Sequence, residues 1–118
     1  MKENIIKNKS FAFALQIVKL CQFLCDKREF VLSKQLLRSG TAIGALVREA
    51  EHAESTADFI HKLSIGLKEA NESEYWIELL FQSGYLDDSA YLSLKTDLTE
   101  LLKLLISIIK TSKANGKR

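Results

Sequence analysis

The chain has 118 residues and a net charge of +2, with 47% hydrophobic and 27% charged residues. These values are ordinary for a soluble globular protein, and the length suits one domain with a modest core. Proline is absent and glycine occurs five times, so little would interrupt a helix. We expect a single all-α domain over residues 1–118.

The N-terminal region does not have the pattern of a secretory signal peptide. Gln16, Lys19 and Gln22 interrupt its apolar stretch, and no small-residue cleavage site follows. The apolar segment 101–109 is far shorter than the roughly 20 residues of a membrane span. We therefore expect a cytoplasmic protein that has no contact with a membrane.

The positive charge is concentrated at the two ends of the chain. Residues 1–10 have a net charge of +2, residues 111–118 have +3, and residues 11–112 have −3. We expect basic tails at 1–9 and 113–118, the second of them disordered. Because cations bind phosphate, the candidate nucleic-acid contacts are Lys2, Lys7, Lys9, Lys113, Lys117 and Arg118.

Helix 1 is predicted from about 10 to 26, with Ser10 as its N-cap. Its apolar residues form two seams, that is, rows of residues spaced three and four apart. The first seam is Phe11, Ala14, Val18, Cys21 and Cys25, and the second is Phe13, Ile17, Leu20 and Leu24. Together the two seams give an apolar face that is wider than one bundle core requires. We expect the second seam to face another subunit.

Helix 2 is predicted from about 33 to 53, with Ser33 as its N-cap. Its seam is Leu36, Gly40, Ile43, Val47 and Ala50, and around it lie the small residues Ser39, Gly40, Thr41, Ala42, Gly44 and Ala45. A glycine costs about 1 kcal/mol in a helix interior, so we expect close packing against small residues at the centre of helix 3. A phosphate-binding loop would instead need a preceding strand, which the pattern does not predict.

Helix 3 is predicted from 56 to 83, between a Ser55 cap and Gly84 in the left-handed position that ends helices. Its seam is Phe59, Leu63, Gly66, Ala70, Ser73, Ile77 and Leu80. Helix 4 is predicted from 88 to 112 after an aspartate cap, and its main seam is Tyr91, Leu94, Leu98, Leu101, Leu105 and Ile108.

The short connections between these helices predict an antiparallel up-down four-helix bundle. Helix 4 is apolar on most sides, with only a narrow polar stripe at Glu100, Lys103, Ser107 and Lys110. A helix of this kind is buried on most of its surface. We expect the bundle to assemble into a homo-oligomer.

No catalytic pattern is present in the sequence, and we expect no catalytic residue, cofactor or metal. We expect Cys21 and Cys25 to be two buried, reduced thiols, with half of a metal site as the alternative. His52 and His61 read as surface residues, although a metal cluster with Glu49 or Glu51 is the alternative. A di-iron bundle would need Glu-x-x-His motifs on two helices, and neither Glu69 nor Glu72 is followed by such a histidine.

Acidic residues of helix 3 are predicted to pair with basic residues of helix 2. If the hairpin turns near 53–56, residue numbers at the same level sum to about 109. Arg38 then lies beside Glu69 and Glu72, and Lys34 beside Glu74 or Glu78. We predict a structural ion pair of Arg38 with these acids, against the alternative that Arg38 is exposed as a phosphate contact.

Segments 35–45, 48–50, 58–63 and 68–70, with the Tyr75–Trp76 pair, together resemble the bacterial four helix bundle protein family, also called 23S rRNA intervening-sequence proteins. The resemblance implies a left-handed bundle assembled into a homopentameric ring, and an RNA-related role. A related branch, the accessory proteins of diversity-generating retroelements, binds reverse transcriptase and nucleic acid.

The resemblance therefore implies a non-enzymatic, ring-forming interaction protein associated with RNA or the ribosome. The alternative is a protein-partner adaptor, or a reverse-transcriptase accessory subunit, without direct nucleic-acid contact.

Overall fold

The structure, a computed structural model, describes residues 2–116 and the side chains of residues 4–116. It contains four helices: α1 (Lys2–Asp26), α2 (Val31–Glu51), α3 (Thr56–Gln82) and α4 (Asp88–Gly116). Each helix packs on its neighbours in the chain, and α4 also packs on α1. The connections are short, so consecutive helices are antiparallel. The predicted all-α, up-down four-helix bundle is confirmed.

No helix within residues 2–116 combines the length and the apolarity needed to cross a membrane.

The predicted ends of α3 and the start of α4 are confirmed by their hydrogen bonds. Ser55 Oγ accepts from the Asp58 N–H at 3.0 Å, and Asp87 Oδ1 accepts from the Ala90 N–H at 2.7 Å. Gly84, just after α3, has a φ of +89°, a conformation that glycine adopts without steric cost.

The terminal segments predicted as basic tails are helical where the structure describes them. α1 begins at Lys2 and α4 continues to Gly116. Ser10, predicted as an N-cap, lies buried inside α1, and its hydroxyl donates to the Lys7 carbonyl at 3.2 Å. Ile6 is also buried and continues the core-facing row one turn beyond Ser10. This packing extends α1 past the predicted start.

The predicted cap of α2 is also wrong, because Glu29 takes that role. α2 begins at Val31, and Phe30 before it has no side chain hydrogen bond to the helix. Glu29 Oε1 accepts from the Ser33 N–H at 2.7 Å, and Ser33 Oγ donates to the Glu29 carbonyl at 2.7 Å. A carboxylate thus binds one free N–H group of the first turn, where the helix dipole also favours negative charge.

The predicted seams of α2, α3 and α4 form the core, except that Phe59 and Tyr91 are only half-buried. On α1 the second seam, expected to face another subunit, supplies most of the core. Phe13, Ile17 and Leu24 of that seam are buried together with Cys21 of the first seam, whereas Phe11 and Val18 of the first seam are exposed.

The predicted contact between small residues of α2 and α3 forms at Ser39 and Ser73, but the two glycines of α2 lie against α1, which was not predicted. A Cβ at Gly40 would lie 2.9 Å from Ile17 Cγ1, and one at Gly44 would lie 3.4 Å from the Ser10 carbonyl oxygen. A Cβ at Gly66 of α3 would lie an ordinary 3.7 Å from Leu46 Cβ. The contact with α3 does include a buried hydrogen bond of 2.9 Å from the Ser73 hydroxyl to Ser39 Oγ.

These distances predict different outcomes for the same substitution at two glycines. Gly40→Ala and Gly66→Ala share the same gain in helix propensity, but only the first forces Ile17 to move in a packed core. We expect Gly40→Ala to be less stable than Gly66→Ala by about 1–3 kcal/mol, measured by chemical denaturation at one protein concentration. Equal stability of the two variants would contradict the close approach of α1 and α2.

Candidate interaction surfaces

The histidines and cysteines do not form a metal centre in the structure. Within residues 4–116, no three His, Cys, Asp or Glu side chains are placed to hold a metal ion together. Both histidines are exposed, and His52 Nε2 lies 4.0 Å from Glu51 Oε2.

The prediction that both cysteines are buried is confirmed for Cys21 and wrong for Cys25. Cys21 is buried, with its thiol 3.3 Å from the Ser33 carbonyl oxygen as a hydrogen-bond donor, whereas Cys25 is exposed. Burial raises the pKa of Cys21 to about 11, with smaller contributions from Cys25 and Glu29. Cys21 is therefore a neutral thiol at physiological pH, and the thiolate needed for nucleophilic chemistry is scarce.

Arg38 joins α2 to α3 through two carboxylates. Its guanidinium Nη1 lies 3.2 Å from Glu69 Oε1, and its Nη2 contacts Glu72 Oε2. Glu72 Oε2 also accepts a hydrogen bond of 2.9 Å from Trp76 Nε1. The guanidinium is half-exposed but already holds two anions, so it is poorly suited to serve as a phosphate contact.

The predicted pairing of Lys34 with Glu74 or Glu78 does not form. Glu74 instead lies 3.2 Å from Lys95 Nζ on α4, and Glu78 accepts a hydrogen bond from the Tyr91 hydroxyl. Glu74 and Glu78 are on the side of α3 that faces α4. The contacts of Arg38 agree with the predicted level across the hairpin, but the side of α3 on which Glu74 and Glu78 lie was not predicted.

Two of the predicted nucleic-acid contacts are engaged with other helices. Lys7 Nζ lies 3.1 Å from Glu51 Oε2 on α2, and Lys9 Nζ lies 2.7 Å from Glu100 Oε1 on α4. Hydrogen bonding to Lys7 lowers the pKa of Glu51. Lys113 is exposed on α4. The side chain of Lys2, and Lys117 and Arg118, lie outside the part of the chain that the structure describes.

Three lysines of α4 form a group of accessible cations that the sequence analysis did not select as contacts, apart from Lys113. Lys103, Lys110 and Lys113 are exposed, and none pairs with a carboxylate among residues 4–116. Lys103 and Lys110 are seven residues apart, about two helical turns, so they lie on one face. The polar stripe noted on helix 4 was the signal for this α4 lysine group.

Large apolar side chains are exposed on the outer side of α1 and α2. Phe11, Leu15 and Val18 of α1 are 50%, 49% and 38% exposed, and Leu37 of α2 is 39% exposed. The three α1 residues are spaced four and three apart, so they lie in one row. The Arg48 guanidinium lies 5.2 Å from the centre of the Phe11 ring. We call these four residues the outer apolar face.

The comparisons with known proteins agree with this architecture. The model of the family described as 23S rRNA-intervening sequence protein matches residues 2–107. The chain belongs to this 23S rRNA-intervening sequence protein family. No curated protein matches the chain.

A solved structure extends the family match to three dimensions. It is the crystal structure of a protein with unknown function from the S23 ribosomal protein family of Bacteroides thetaiotaomicron VPI-5482. It is 59% identical to this intervening-sequence protein, with a TM-score of 0.92, and the match covers 93% of this chain and 99% of that chain.

The Arg38 geometry predicts a small, salt-sensitive contribution to stability. Arg38→Ala should lower the free energy of unfolding by about 0.5–1 kcal/mol at low salt, because the ion pair is largely solvated, and by less at high salt. Lys34→Ala is the matched control, since arginine and lysine have similar helix propensities and Lys34 pairs with no carboxylate among the described residues. Chemical denaturation of each variant at two salt concentrations measures the two losses of unfolding free energy. Equal effects of the two substitutions would argue against the ion pair.

Proposed function

We propose that this chain is a non-catalytic interaction protein that associates with copies of itself and contacts RNA. The observation that carries the proposal is the outer apolar face of Phe11, Leu15, Val18 and Leu37. Membership of the 23S rRNA-intervening sequence protein family supports RNA as the partner, because the family is described by its connection with ribosomal RNA.

Self-association follows from the cost of leaving the outer apolar face in water. Soluble monomers rarely expose contiguous apolar patches unless the patch serves an interaction. The face adjoins the tight contact of α1 with α2, so its backbone is held firmly and needs little ordering when it binds. A rotationally repeated contact closes into a ring, and five subunits is the number that the resemblance implies.

RNA contact is supported by the α4 lysine group. Lys103, Lys110 and Lys113 lie on a rigid helix and have no carboxylate partner among the described residues, so they can meet phosphates without first breaking an ion pair. In an oligomer the same group is repeated once per subunit, and weak contacts then add through multivalency.

A protein-partner adaptor without RNA contact is the second candidate. It is favoured by the ion pairs within the helical bundle. Carboxylates are contacted by five cations: Lys7, Lys9, Arg38, Lys62 and Lys95. Those five cations are thereby less available to a polyanion. Salt dependence separates the two candidates, because phosphate binding weakens steeply as salt is raised.

Charge on the outer apolar face should disrupt self-association. We expect the parent protein to have a mass well above that of the 13.4 kDa chain, and Leu15→Glu to reduce it towards the monomer, because a carboxylate would be desolvated in the contact. Leu92→Glu is the matched control, since Leu92 is also exposed but lies on α4. Light scattering gives the masses, and a monomeric parent would refute the proposal.

The RNA contact is tested by neutralising lysines without shortening the chain, because removal of residues 1–9 would also remove buried Ile6. Changing Lys103, Lys110 and Lys113 to Gln should weaken binding to 23S rRNA fragments. It should also reduce the slope of log affinity against log salt by about two to three. The matched control changes Lys19, Lys34 and Lys68, which are exposed on the other helices. An equal loss in the control would indicate that net charge alone drives binding, and salt-independent binding would favour the adaptor.

A further inference from the structure

One end of the bundle contains an open cavity of about 540 Å³ beside the α2–α3 connection. Its floor is apolar and comes from all four helices: Ile6, Val47, Ala50, Phe59, Leu63 and Ile108. All of these except Phe59 are otherwise buried. We call this space the end cavity. Its volume lies within the range of small-molecule pockets, about 300–1,000 Å³.

The opposite end of the bundle also has a cleft, of about 710 Å³, but a buried side chain of the connection there lines it. Leu86, in the α3–α4 connection, is buried and belongs to the core. The α2–α3 connection has no comparable side chain, and small residues surround the cavity instead: Ala50, Ala53 and Gly116.

The rim of the end cavity is polar but its charges are compensated. Lys7 and Glu51 lie at the rim and pair with each other at 3.1 Å. The other polar rim residues are neutral: Ser55, Thr56, Ser112 and Asn115. A charged ligand would have to compete with the Lys7–Glu51 pair, whereas hydroxyl and amide groups can bind a neutral polar group directly.

We propose that the end cavity binds a small uncharged organic molecule that has an apolar body and a hydroxyl or amide group at one end. The apolar body displaces water from the floor formed by the four helices, and the polar group meets the neutral side chains of the rim. This inference is independent of self-association and of RNA contact, since neither the outer apolar face nor the α4 lysine group includes a residue of the floor.

The test is a fluorescence titration of the neutral fluorophore N-phenyl-1-naphthylamine with the full chain. The emission of this fluorophore increases in apolar sites. The parent should bind it saturably, with one site per chain. Ala50→Leu and Ala53→Leu place carbon atoms in the cavity and should weaken binding at least about tenfold. Ala114→Leu is the control for an exposed α4 position. Ala90→Leu is the control for a cleft at the opposite end, which Ala90 lines with Leu20 and Phe23.

Unchanged affinity in both cavity variants, an equal loss in Ala90→Leu, or no saturable binding by the parent would overturn the proposal. Methyl NMR of the parent protein needs no variant and covers the case in which the cavity substitutions prevent folding. The probe should shift the methyl signals of Ile6, Leu63 and Ile108 and leave those of Leu86 in place. Shifts confined to Leu86, or to Leu15 and Val18 of the outer apolar face, would refute the site.

Discussion

The close approach of α1 to the glycines of α2 is the constraint on which the rest of the structure depends. With Gly40 against Ile17 and Gly44 against the Ser10 backbone, α1 can adopt only one rotation about its axis. That rotation places Phe13 and Ile17 in the core and turns the Phe11 row towards solvent. A larger residue at position 40 would separate the helices, so the outer apolar face exists because α2 is small where it meets α1.

Ion pairs at the boundaries between neighbouring helices fix the register that this packing allows. Lys7 binds α2, Arg38 links α2 to α3, Lys95 binds α3, and Lys9 binds α4. Each pair is solvated and adds little stability, but a shift by one turn would break it and bring like charges closer. The cations at the helix boundaries are thus bound to carboxylates. The cations that can bind a partner therefore lie on the exposed faces of the helices.

The sequence predicted the parts of the fold that depend on a single periodic row of residues. α2, α3 and α4 each have one such row, and these rows form the core. α1 has two, and only the contact with Gly40 decides between them, which is a tertiary effect that no local pattern contains. Ser10 and Ser33 have the propensity of caps, but burial of Ile6 and the carboxylate of Glu29 overrode it. The candidate contacts were drawn from charge density at the termini, which does not show that Lys7 and Lys9 are paired.

The arrangement of the helices makes self-association and RNA contact compatible with one another. α2 packs on α1 and α3, whereas α4 packs on α3 and α1, so α2 and α4 are diagonal in the bundle. A contact between copies centred on the outer side of α1 and α2 would therefore leave the lysines of α4 accessible. Without Lys103 and Lys110, residues 11–112 have a net charge of −5, so the rest of the bundle repels a polyanion on average. Under our proposal, a phosphate chain is thereby directed to α4, since attraction there is local and repulsion elsewhere is general.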